Sequence, residues 1–400
     1  MFTAYKRRCD AASPHRRALQ SLWRVAFVGV LVVALWSPPR VCSASSLEGY
    51  WLLVTFDQVN TPEHIAAIRT SSFNGIAYPL VPAYYDARTP SYSTLSETYS
   101  RLHQATQRDI WPWVFINRIV GVSQQNPNPQ ANSAYFHSIR GMALRSGSKP
   151  LHDFLSDWRT ALMVAREIHS PGVVLDLEFY NNPSIAYAIS RLSESLGEPP
   201  AQAALRLRSL GIIMGKIVLQ TYPDASIWIL NSALDNSADQ RINGQSYFQP
   251  RGEIAIGLLS TLAQSKSAAQ VIDGGEDSLG YCHANLNGLN REISTRRQKY
   301  QNLLKMFPKQ FRLSGTIAVW TEAKSKRGWL NQDECASSDV KNLEGFAPYI
   351  NLLESSYWYN WLYGAEAGGY RPFDPQIANR MDALITKARN TARQNAERKP

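Results

Sequence analysis

The sequence predicts an α/β fold, a (β/α)8 TIM barrel, and three observations predict it. From residue 50 onward, short β-branched or aromatic runs alternate with longer stretches whose apolar residues recur every three to four positions. Eight such pairs fill the chain from there to residue 400. Acids and aromatics gather at the C-terminal ends of the short runs, whereas the opposite ends are mostly Gly, Pro and small polar residues. The competing architecture is a doubly wound open sheet, which advertises a glycine-rich first turn. Here the first strand ends Thr55-Phe56-Asp57-Gln58, without phosphate-binding glycines.

The candidate strands span residues 51–56, 75–81, 110–116, 172–177, 226–230, 269–272, 315–320 and 357–362. The sixth is the least distinct, being short and preceded by a polar helix end. Candidate helices span 62–71, 94–107, 151–168, 201–221, 254–265, 291–306, 343–354 and 375–395. Thr61-Pro62-Glu63 and Asp374-Pro375 each place a capping residue ahead of a proline suited to the first helical turn. Two insertions stand out. Residues 121–149 follow the third strand and are rich in Ser, Asn, Gln, Gly and Pro, and residues 180–200 follow the fourth with room for a small helix. Long loops in a compact domain often form lids or binding walls.

Residues 1–44 read as a signal peptide and 45–400 as a single barrel domain. Lys6, Arg7, Arg8, Arg16, Arg17 and Arg24 form a basic leader. Residues 25–36 are a 12-residue apolar run, and Cys42-Ser43-Ala44 supplies small residues for cleavage. A membrane span needs about 20 apolar residues, so an uncleaved signal anchor is the lesser alternative. Export to a secreted or periplasmic location follows, with no stable membrane span after cleavage. Residues 1–44 hold seven Lys/Arg and one Asp, so the formal +10 of the chain falls to +4 without them. That mild charge carries no basic stripe interleaved with aromatics, so nucleic acid is not an expected partner. Cys282 and Cys335 remain as an even pair, equally compatible with a disulfide and with two free thiols.

The chemistry concentrates after the fourth strand. Gly172-Val173-Val174-Leu175-Asp176-Leu177-Glu178 is an apolar strand closed by two acids at i, i+2, which share one face. Glycoside hydrolysis needs two carboxyl functions around the scissile bond, one of which keeps its proton near neutral pH. Glu178 has the features that raise a carboxyl pKa: Asp176 two residues back, and Phe179 and Tyr180 beside it. Glu322, two residues beyond Trp320 at the seventh strand's end, is the candidate nucleophile or second carboxylate. Tyr180, Asn231, Trp329 and Asp273 are candidate substrate contacts, with Trp329 in a polar loop as a ring for a sugar face. Trp228 and Trp358 read as core.

The segment Val173–Tyr180 resembles the fourth-strand signature of (β/α)8 glycoside hydrolases. Chitinase-type family 18 and hyaluronidase-type enzymes end this strand in D-x-E. The likeness implies that Glu178 is the catalytic acid and that Asp176 orients an acetamido group. Val173, Val174 and Leu175 lack the earlier acids of the family 18 pattern. The pair Glu178 and Glu322 is also similar to the acid/base and nucleophile of retaining clan A enzymes, although Leu177 stands where that clan carries an Asn.

Other chemistries lack a signal. The seven histidines show no H-x-H or H-E-x-x-H spacing, and no G-x-S-x-G elbow occurs. No metal ligand set or cofactor is expected. The sequence therefore points to an exported glycosidase acting on an oligo- or polysaccharide, with a non-catalytic carbohydrate-binding barrel as the alternative, and it leaves the oligomeric state open.

Overall fold

A computed structural model describes residues 48–53, 62–70, 74–80, 89–116, 147–177, 189–230, 234, 240–242, 244–275, 286–313, 318–320, 356–361, 365–366 and 369–370, with 383, 386 and 390. The strands of the main sheet are β1 (Glu48–Leu53), β2 (Gly75–Pro79), β3 (Asp109–Phe115), β4 (Gly172–Asp176), β5 (Ser226–Ile229), β8 (Gln270–Asp273), β9 (Phe311–Leu313), β10 (Ala318–Trp320) and β11 (Ser356–Trp361). A hairpin, β6 (Gln240–Ile242) with β7 (Gln245–Tyr247), follows β5, and a short pair, β12 (Ala365–Glu366) with β13 (Gly369–Tyr370), follows β11.

The sheet order is β10-β11-β1-β2-β3-β4-β5-β8-β9, and every neighbouring pair is parallel. Its first and last members belong to one stretch of chain, because only residues 314–317 separate β9 from β10. Nine strands laid flat would span about 38 Å at ~4.8 Å per neighbour. Five residue steps reach at most about 18 Å. The two edges must therefore approach each other, and the sheet is a barrel. β10 falls within the predicted seventh strand, 315–320, and β9 precedes it.

Helices fill the crossovers: α1 (Pro62–Thr70), α2 (Tyr92–Thr106), α3 (Lys149–Glu167), α4 (Ile189–Leu196), α5 (Pro200–Thr221), α6 (Pro250–Gln264) and α7 (Leu286–Met306). Their ends have local causes. Ser91 Oγ accepts the Thr94 N–H at 3.2 Å to start α2, and Gln107 ends it in the left-handed region. Prolines sit in the first turns of α3, α5 and α6, where a missing N–H costs nothing.

α3 buries Phe154, Trp158, Ala161, Leu162 and Ala165, a helical stripe that packs on the outer face of the sheet. Trp158 Nε1 donates to the Met214 carbonyl of α5 at 3.1 Å. α5 and α6 approach so closely that a Cβ on Gly211 would lie 2.0 Å from the Ile254 carbonyl oxygen, and one on Gly257 2.1 Å from that of Arg208.

β1 begins three residues before its predicted start, drawn by six register pairs with β11. Helix α4 occupies part of the 180–200 insertion. Ala383, Thr386 and Asn390 are helical within the predicted last helix. The predicted helix 343–354, most of the 121–149 insertion, Cys282 and Cys335 lie outside the described residues.

Candidate active site

Strand alternation sorts the barrel's residues into two layers. Ile110 and Val114 of β3, Val173 and Leu175 of β4, Leu177 just beyond it, Ile227 and Ile229 of β5, and Val271 of β8 belong to one apolar cluster with the helices. Their neighbours Trp111, Trp113, Phe115, Val174, Trp228 and Ile272 are equally buried but stand outside that cluster. These fill the barrel interior. Register aligns them across strands: Trp113 with Val174, Val174 with Trp228, Trp228 with Ile272. Trp111 meets Trp228 edge to face at 6.1 Å, and Trp113 lies 4.4 Å from Phe115. The core reading of Trp228 holds.

Asp176 follows Val174 by two and is level with Phe115, so it belongs to the interior layer at its C-terminal end. It is fully buried, and its carbonyl accepts the Ile116 N–H at 3.0 Å. β4 packs tightly on β5 at its other end: a Cβ on Gly172 would fall 1.7 Å from the Ser226 carbonyl oxygen. A carboxylate thus caps a column of aromatic rings beneath the barrel mouth, the face where barrels of this type carry their chemistry.

Asp273 requires a correction. It follows Val271 by two, so it points outward to the helices, away from the interior. Arg296 of α7 donates to Asp273 Oδ1 at 2.7 Å and to its carbonyl at 3.3 Å, and the Leu234 N–H reaches Oδ2 at 3.4 Å. The two side chains are 1% and 3% exposed. Both carboxylate oxygens are engaged, so Asp273 does not serve as a substrate contact. It ties β8 to α7 and to the loop after β5. Gly275, at φ 71°, makes room for the guanidinium, because a Cβ there would lie 2.0 Å from it. Nothing in the charged helix around Arg296 distinguishes it from its neighbours. The Gly274-Gly275 pair just after the strand was the one available signal of a close approach.

Glu253 is a further buried carboxylate, one that the sequence does not signal. Glu253, in the first turn of α6, accepts Arg208 at 2.9 and 2.6 Å and the Phe248 N–H at 3.1 Å. Arg251 beside it is buried, with Nε donating to Gln249 Oε1 at 3.1 Å. These bonds fix the segment between the β6–β7 hairpin and α6.

Glu178, Tyr180, Asn231, Glu322 and Trp329 lie outside the described residues. Their anchors do not. Glu178 follows the last residue of β4 by two, Asn231 that of β5 by two, and Glu322 that of β10 by two.

The chain matches no protein-family model and no curated protein. Among solved structures it is similar to a GH5-4 broad-specificity endoglucanase from an uncultured bacterium, at 12% identity and a TM-score of 0.49, covering 82% of this chain and 85% of that one. An endo-glycoceramidase II from Rhodococcus sp. gives 8% identity and a TM-score of 0.48 over 84% of this chain and 79% of that one. A glycoside hydrolase family 5 enzyme from Prevotella bryantii B14 gives 8% and 0.47 over 86% and 98%. At these values the likeness does not carry function, and the (β/α)8 assignment rests on the strand order described above.

Proposed function

We propose that the protein is an exported glycoside hydrolase that cleaves an oligo- or polysaccharide at the C-terminal mouth of its barrel. Glu178 is the general acid/base and Glu322 the nucleophile. The observation that carries this reading is that β4 and β10 lie parallel in one closed sheet, and each is followed two residues later by a glutamate. That arrangement favours the clan A-like pair over the chitinase-type D-x-E reading, which needs no seventh-strand acid. Asp176, buried two positions before Glu178 in the chain, is proposed to oppose ionisation of the acid/base carboxyl and so help it keep its proton. Tyr180, Asn231 and Trp329 are proposed to contact the sugar.

The test is turnover on a panel of aryl glycosides and soluble polysaccharides. The wild-type chain is expected to hydrolyse at least one of them. Glu178→Gln and Glu322→Gln should each lower kcat by about 10²- to 10⁴-fold, with unchanged far-UV circular dichroism. Unaltered turnover in either variant would remove that residue from the mechanism. A wild-type chain that binds the polysaccharides but cleaves none would be a carbohydrate-binding barrel.

A further inference from the structure

The connection from β5 to α6 is held at both ends by the same device. At its start, the Leu230 N–H donates to the Leu175 carbonyl at 3.4 Å, one residue before Asp176, and the Gly274 N–H donates to the Ile229 carbonyl at 2.7 Å. Leu234, itself buried, then gives its N–H to Asp273 Oδ2 at 3.4 Å, while Arg296 donates to Oδ1. At the far end, Phe248 gives its N–H to Glu253 Oε1 at 3.1 Å, while Arg208 donates to Oε2. In each case one carboxylate oxygen serves a guanidinium and the other a backbone N–H of the connection. Both carboxylates are 1% exposed.

A chain segment needs no buried charge to be held. Thr94, Leu151 and Ala269 give their N–H groups to the neutral hydroxyls of Ser91, Ser148 and Ser267. Desolvation offsets most of what a buried ion pair contributes to stability, and its best-attested use is to specify one geometry. The segment held in this way borders the candidate site. β5 is the sheet neighbour of β4, and Asn231 lies between the anchored Leu230 and Leu234, at most about 11 Å of chain from the latter.

We propose that Asp273, braced by Arg296, is a positioning residue of the cleft that acts on the sugar through Asn231. Glu253 and Arg208 hold the far end of the same connection. This role rests on the sugar contact proposed for Asn231. A contact made equally in the ground and transition states lowers KM and leaves kcat alone, so the pair acts on KM.

The test uses the full chain carrying Asp273→Leu with Arg296→Met. The buried charges are gone and most of the stability returns, but no acceptor faces the Leu234 N–H. For a polysaccharide that the wild type cleaves, KM should rise about five- to tenfold, the worth of one lost hydrogen bond, with kcat within about twofold. Asn231→Ala should raise KM by a similar factor, and should add nothing further in the double-variant background. The companion variant Asp273→Asn offers one acceptor oxygen to two donors and should shift KM in the same direction. A KM that recovers along with stability overturns the proposal, as does an Asn231→Ala effect that multiplies with that of the double variant, or an unchanged KM in the folded companion. Retardation in native gels containing each polysaccharide reads the same affinities without turnover. A wild-type chain that is retarded but cleaves nothing fails the proposed hydrolysis, and the positioning role is then judged on binding by the same variants. A chain that neither cleaves nor is retarded overturns both.

Discussion

Asp176 and Asp273 both close a parallel strand of one sheet, and a single step of alternation separates their duties. Asp176 shares parity with Val174 and lies inside the barrel; Asp273 shares parity with Val271 and meets Arg296 among the helices. A strand buried on both sides is apolar at every position, so Val271 and Ile272 look alike in sequence and the side taken by Asp273 was not legible. Removing one member of such a buried pair strands the other charge, at a cost of about 3–5 kcal/mol. Asp273→Ala should therefore lower stability by that order. Asp273→Leu combined with Arg296→Met should restore most of it, because the desolvated charge is gone. Denaturant unfolding of the single and double variants checks this. Equal losses in both would mean that the pair's geometry, rather than the stranded charge, supports the fold.

At the scale of elements, the sequence was most legible where amphipathic spacing and a start signal coincide. Ser91, Ser148 and the prolines at 150, 200 and 250 set helix starts close to their predicted positions. It was least legible where pairing decides. β1 took in Glu48-Gly49-Tyr50, whose first two residues disfavour strands, because β11 offers it a ladder. The β6–β7 hairpin carried an unused signal in Asn243-Gly244, with Gly244 at φ 81°. The packing of α5 on α6 depends on absent side chains, which hydrophobic patterning does not reveal. Gly211 and Gly257 each bring backbone against backbone, and a methyl at either forces the helices apart. Gly211→Ala and Gly257→Ala should each destabilise by about 1–3 kcal/mol, despite the gain in helix propensity. A shifted denaturation midpoint is the expected readout, and an unshifted one would show that the helix pair has slack.

For the whole molecule, closure of the sheet is what would let two distant segments perform one reaction. Glu178 and Glu322 are 144 positions apart in the chain. Along the ladder, β4 is separated from β10 by β3, β2, β1 and β11, a path of about 24 Å at ~4.8 Å per neighbour in a flat sheet. Only when the ends meet do the strand termini face each other across a mouth. The spacing across that mouth sets the stereochemistry: carboxyl groups ~5–5.5 Å apart leave no room for a water and force a covalent glycosyl-enzyme step, whereas ~6.5–9.5 Å admits one. The roles proposed for Glu178 and Glu322 require the short spacing, and so require retention. Proton NMR of the first-formed product, recorded before mutarotation, should show the anomeric configuration of the substrate. An inverted product would leave Glu178 as acid but make Glu322 a base acting through water. The same dependence on closure predicts that Val319→Pro, which removes an N–H from the middle of β10, lowers turnover together with stability. Preserved turnover there would mean that the pair is held in place without β10.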